Sequence, residues 1–111
     1  LDLAHGECNA LLLEHVVNYN FDSARERYVQ IGLTMGLPMK GLSAVEQKIR
    51  LIAALAALRR DVNLAHPLRD LGVASEDILV LAQNALLDPC IATNPRTPSR
   101  EDIAQIYESA L

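Results

Sequence analysis

Residues 43–61 read SAVEQKIRLIAALAALRRD, and this stretch decides the fold. Ser43 and Glu46 stand three apart, the spacing of a capping box in which each side chain satisfies a free backbone N–H at a helix start. Val45, Ile49, Ile52, Ala53 and Ala56 then recur at helical spacing as an apolar stripe. Leu51, Leu55 and Leu58 widen it, so the pattern predicts a long helix buried around much of its circumference.

Similar signals on either side mark four more helices. Upstream, a helix is predicted from near Gly6 to about Asn20, with Leu11, Leu12 and Val16 at helical intervals. A second opens at Asp22 as N-cap, carries Ala24, Tyr28 and Ile31 on one face, and stops at Gly36 and Pro38. Lys40-Gly41-Leu42 is the turn before the central helix. Downstream, His66 to Gly72 is a connector with one helical turn closed by Gly72. Ser75 is predicted to cap a fourth helix, with Glu76 and Asp77 in its first turn, where the helix dipole favours negative charge. Its inner face is Ile78, Leu81, Ala82 and Ala85. An irregular segment with three prolines, Asp88 to Pro98, precedes a last helix opened by Ser99 and Asp102 and packed through Ile103, Ile106, Tyr107 and Ala110. No strand alternation is found, and the expected architecture is an all-α bundle of about five helices.

Composition agrees with a single helical domain of 111 residues. Half the residues are apolar, but there are only three Tyr, one Phe and no Trp, so the core must be aliphatic. A net charge of −4, with Arg59–Arg60 the only adjacent basic pair, argues against a nucleic-acid partner. No apolar run approaches the roughly 20 residues that span a bilayer, so no membrane partner is expected. Cys8 and Cys90 are too few and too far apart for a metal ribbon or a disulfide framework. No segment resembles a signal peptide, and a reducing cytoplasm is the expected location. The chain lacks an initiating Met, and Leu1-Asp2-Leu3 reads as the middle of a longer protein.

The three histidines, His5, His15 and His66, lack the spacing that sets two imidazoles on one metal. His5 is the most suggestive, because it enters a helix and is followed by Gly6, which allows close backbone approach. Such an imidazole suits one ligand of a metal whose other ligands come from elsewhere; a capping or surface histidine is the alternative. Cys8, three residues on, can face the same way as a soft, zinc-selecting ligand, or be a small packing residue. Asp2, Glu7 and Glu14 add carboxylates, which the start of a helix favours in any case. There is no glycine-rich phosphate loop and no nucleophile elbow.

The order of the motifs carries more information than any one residue. His5-Gly6-Glu7-Cys8-Asn9-Ala10, Leu12-Leu13-Glu14-His15-Val16 and Asn18-Tyr19-Asn20 resemble the "PHG-x-x-NA, LLPHV, F/Y-N" run of the iron-dependent, group III alcohol dehydrogenases. Pro67-Leu68-Arg69-Asp70-Leu71-Gly72-Val73 is similar to that family's connector. Cys90, Thr93-Asn94-Pro95-Arg96, Glu101-Asp102-Ile103 and Ile106-Tyr107 are similar to its closing motifs. The resemblance covers essentially the whole chain. It implies that residues 1–111 are the C-terminal helical domain of a dehydroquinate-synthase-like two-domain enzyme whose N-terminal NAD(P)-binding α/β domain is not in this chain. It further implies a divalent metal, Fe2+ or Zn2+, held by one Asp and three His, of which His5 matches the last. The implied reaction is reversible oxidation of a primary alcohol or diol to the aldehyde, with hydride passing to nicotinamide and the metal as Lewis acid. The implied partners are the chain's own N-terminal domain, a small alcohol or aldehyde, and further copies in a homo-oligomer, since Leu11, Leu12 and Leu13 point apolar side chains in several directions. Alone, the fragment is expected to be inactive. Ala4 and Glu14 depart from the family's pattern, each replacing a proline. His5-Gly6 and Asn9-Ala10 separate the chain from the metal-free maleylacetate reductases. A non-catalytic helical interaction module is the competing reading.

Overall fold

The computed structural model describes residues 4–111, and Asp2, one of the carboxylates noted above, lies outside them. Five α-helices, α1 (His5–Asn20), α2 (Arg25–Thr34), α3 (Ala44–Asp61), α4 (Ile78–Leu86) and α5 (Arg100–Ala110), are joined by loops containing four short 3-10 turns. Among the described residues there is no strand. The all-α expectation holds.

Local chemistry explains most boundaries. Ser43 Oγ accepts from Glu46 N–H at 3.2 Å, and the Glu46 carboxylate accepts from the Ser43 hydroxyl at 3.0 Å, so α3 starts where expected. At α5 the box is reciprocal. Ser99 Oγ accepts from Asp102 N–H at 3.1 Å, while Asp102 accepts from Ser99 N–H at 2.9 Å. The end of α2 is a Schellman turn, with Leu37 N–H bonded to Gly32 O and Gly36 N–H to Leu33 O. Gly36 stands there at φ +86°, a conformation that costs a side-chain-bearing residue energy.

Several expectations are corrected. Asp22 does not cap a helix; Phe21–Ala24 forms a 3-10 turn running on from α1, and α2 starts at Arg25. Ile31 faces solvent at 47% exposure, and Gly32 turns inward instead. Ser75 is not the cap before α4, where Asp77 accepts from Ala74 N–H at 2.9 Å over the 3-10 turn Ser75–Asp77. The segment 88–98 is partly regular, since Pro89–Thr93 is a 3-10 turn capped by Asp88 through Cys90 N–H. The largest correction concerns α3. Val45 and Ile49 are over 60% exposed, whereas Gln47 and Leu51 are buried. Gln47 is kept inside by two bonds, Nε2 donating to Met39 O at 3.0 Å and Oε1 accepting from Arg25 Nε at 2.8 Å. A buried amide with both ends satisfied loses little by leaving water.

The interior is three clusters rather than one core. Leu11, Leu68, Val73 and Ala110 form the first; Val17, Phe21, Met39 and Leu51 the second; Ile78, Ala82, Ile103 and Ala104 the third. Helix α1 spans the first two, and Tyr107 and Leu111 bridge the first and third. The body measures 43 × 31 × 20 Å. A thickness of 20 Å is about two helix diameters, so no helix can be surrounded on all sides. That is why α3 and α4 keep Val45, Ile49, Leu79 and Val80 at the surface.

Polar ties hold the remote segment 88–98 to α1. Asn20 and Asn94 exchange two amide hydrogen bonds, each 2.9 Å. Arg96 stacks its guanidinium 4.2 Å above the Tyr19 ring, and Tyr19 Oη donates to Asp102 at 3.0 Å. Asn20 is only 3% exposed. Asn20→Ala leaves the half-buried Asn94 Oδ1 without its donor, while Asn94 Nδ2 keeps the Arg96 carbonyl, and is expected to cost about 1 kcal/mol in urea denaturation; a cost below a few tenths would show that the pair is idle.

Candidate metal-donor site at the start of α1

His5 is the first residue of α1 and is exposed. The preceding Ala4 has φ −61°, the value proline would impose, so the departure from proline leaves the backbone entry unchanged. Among the described residues Gly6 has nothing within 4 Å of where a Cβ would sit, so a side chain at that position would meet no neighbour. The second departure has a local purpose: Glu14 pairs with Arg59, whose guanidinium also donates to Leu64 O at 3.0 Å, tying α1 to the end of α3.

His5, Cys8 and Asn9 line a cavity of about 290 Å³ closed by Leu12, Leu68, Val73, Leu81 and Tyr107. Asn9 also borders a larger cavity of about 560 Å³ between α1, α4 and α5, where Asn84, Asp88, Cys90 and Asn94 supply the polar groups. The two ends of the motif series thus meet at one place. Asp88 is held below the usual carboxylate range, first by the hydrogen bond from Cys90 N–H and in smaller part by the charge of His5. Hydrogen bonding to Asp88 and its negative charge push the Cys90 thiol up, which makes Cys90 a poor nucleophile despite its exposure. Cys8 is half-buried, and both cysteines are free thiols.

The other histidines lie elsewhere. His66 Nε2 sits 3.2 Å from Glu7. His15 faces Arg59 across a separate cleft. Burial lowers the His15 pKa, Glu14 raises it in part, and Arg59 lowers it. With the folded value below the unfolded one, the unfolded chain binds the extra proton first. Stability is therefore full at neutral pH and falls as pH drops below about 6.5. His15→Gln is expected to flatten that part of the melting-temperature profile between pH 7.5 and 5; an unchanged slope would assign it to other groups.

Among the described residues no group of three or more His, Cys, Asp or Glu is placed to hold a metal ion. The donor chemistry here amounts to one exposed imidazole, with Cys8 and Asn9 beside it along the same cavity. In the sequence Asn9, whose amide contacts that ring, stands out only as part of a motif. Its i, i+4 spacing from His5 is the signal that marks it.

Comparison with known proteins defines the class. The family described as Fe-containing alcohol dehydrogenase, C-terminal, matches residues 1–111, and the chain belongs to it. It is 45% identical over 106 residues to lactaldehyde reductase of Escherichia coli K12, covering 96% of this chain and 28% of that protein. It is 38% identical over 109 residues to 1,3-propanediol dehydrogenase of Klebsiella pneumoniae, covering 98% and 28%. A crystal structure of a 1,3-propanediol oxidoreductase superposes with a TM-score of 0.93 at 37% identity, over 99% of this chain and 29% of that one. The chain thus spans somewhat over a quarter of the length of the relatives it matches. Among the described residues no helix is long and apolar enough to cross a membrane.

Proposed function

We propose that residues 1–111 are the C-terminal helical domain of a metal-dependent, NAD(P)-linked alcohol dehydrogenase that interconverts a primary alcohol or diol and its aldehyde. A nucleotide-binding α/β domain precedes it in the complete enzyme. His5 supplies one donor to a divalent cation, Fe2+ or Zn2+. The observation that carries this reading is the exposed His5 at the start of α1 in a chain of this family. The names of the relatives, a lactaldehyde reductase, a 1,3-propanediol dehydrogenase and an NAD-dependent methanol dehydrogenase, support the substrate class and the cofactor.

When bound, the metal supplies Lewis acidity toward the alcohol oxygen, and the nicotinamide accepts the hydride. This chain's own part is to present the His5 lone pair at a fixed point. Leu12, Leu81 and Tyr107 wall the adjoining cavity with apolar surface. The two free thiols fit a cytoplasmic enzyme. The exposed Val45, Ile49, Leu79 and Val80 fit a protein that meets its own further domain and other copies of itself.

A nicotinamide-coupled alcohol oxidation assay tests the reading. The 111-residue chain is expected to show no turnover, because one imidazole cannot hold a catalytic cation. A polypeptide of the relatives' length is expected to turn over, and to stop when a chelator removes the metal. Turnover that survives the chelator would overturn the metal-dependent reading, and a full-length protein that binds no metal and shows no turnover would favour the non-catalytic interaction module instead.

A further inference from the structure

The outward face of α3 is apolar and, among the described residues, uncovered. Val45 and Ile49 are 62% and 61% exposed, and Ala53, one turn further, is exposed as well. Ile52 and Ala56 border this ridge and are half-buried. Val45, Ile49, Ile52 and Ala56 keep the i, i+4, i+7, i+11 spacing of a helix–helix seam. Gln47 and Leu51 take the opposite face inward, so α3 has two faces fit for packing. The charges along the rim are sorted by sign. Glu46 in the first turn and Arg60 in the last lie on one flank of the ridge, about four turns apart, and both are exposed. On the other flank Arg59 pairs with Glu14, and Lys48 lines a cleft with Asp22 and Asp102.

We infer that this face of α3 pairs with the same face of a second copy of the chain, antiparallel about a two-fold axis that passes near Ala53. An isologous contact needs a surface complementary to itself. Turned end for end, the ridge sets Ile49 over Ala56 of the second copy and Ile52 over its Ala53, so each bulky side chain meets a small one and the helices can approach closely. The same register brings Glu46 of each copy to Arg60 of the other. A parallel pairing would instead set Glu46 against Glu46 and Arg60 against Arg60. The inference rests on the reading that the enzyme meets other copies of itself, and it names the face. The seam is about three turns long, short of the area that holds a permanent dimer, so the expected dissociation constant is on the order of 10–100 μM.

Sedimentation equilibrium of the 111-residue chain is expected to show monomer and dimer in exchange. Ile49→Asp places a charge in the seam from both copies and is expected to weaken the dimer by about tenfold or more. Glu46→Arg and Arg60→Glu are each expected to weaken it severalfold, and the two together to restore it. Glu46 also accepts from the Ser43 hydroxyl at the start of α3, so circular dichroism accompanies each variant. Damage to the helix ends would add up in the double variant, whereas recovery of the dimer reports the pairing itself. In a chain carrying Cys8→Ala and Cys90→Ala, Ala53→Cys is expected to give disulfide-linked dimers with oxidised glutathione, and Leu79→Cys, exposed on α4, to give none. A chain that stays monomeric at millimolar concentration overturns the inference. So does association that is indifferent to Ile49→Asp or that leaves Ala53→Cys unlinked. In a polypeptide of the relatives' length the Ala53→Cys link is expected as well; a residue-53 thiol shielded there from oxidant and maleimide alike means that the preceding domain covers α3, and overturns it too. The wider reading fails separately, when that longer polypeptide is itself a monomer.

Discussion

His5→Ala in a polypeptide of the relatives' length is expected to empty the metal site and lower kcat/KM by about three orders of magnitude or more. A Lewis acid supplies several kcal/mol to the transition state, and each 1.36 kcal/mol is tenfold in rate. On the proposed donor set of one Asp and three His, loss of His5 would leave the cation open to water. The substitution is otherwise benign, since His5 is exposed and alanine favours the helix. Metal content by elemental analysis and steady-state kinetics should fall together, with the melting temperature of α1-containing fragments nearly unchanged. A variant that retains stoichiometric metal and wild-type turnover would remove His5 from the site.

Phe21→Ala is expected to be the most destabilising single change in the chain, at about 3–5 kcal/mol. Phe21 has no exposed surface, and its ring stacks on Tyr28 with centroids 5.7 Å apart. It packs in one cluster with Val17, Met39 and Leu51, so its removal opens a void between α1 and the α2–α3 pair. Domains of this size have roughly 5–15 kcal/mol in hand. The melting temperature should fall by on the order of 15 °C or more. A loss under 1 kcal/mol would mean that the cluster closes over the gap.

The contrast between α3 and α5 shows what a sequence can disclose. At α5 the cap and the packing stripe both survive, because Ile103 and Ala110 stand among polar residues that leave only one face to bury. In α3 apolar residues occur all around the helix. Periodicity then identifies a helix but cannot choose its inner side, and the structure buries Gln47 while exposing Val45. That choice depends on Arg25 and Met39, which hydropathy does not connect to it. Likewise the Asn20–Asn94 pair joins residues 74 apart, beyond any local signal. At the site, His5 is marked out by its motif, and the structure places it exposed at the start of α1. Its contact with Asn9 follows from their i, i+4 spacing, but its nearness to Asp88 needed coordinates, since only the fold brings the 88–98 segment to the start of α1.

The thinness of the body reaches into its thermodynamics. A slab with three small interiors hides little oily area from water, and the heat capacity gained on melting scales with that area. Calorimetry of the isolated chain should therefore trace a shallow, broad stability dome with a modest denaturant slope. Covering Val45, Ile49, Leu79 and Val80 with the rest of an enzyme would sharpen the same curve without altering a residue in it.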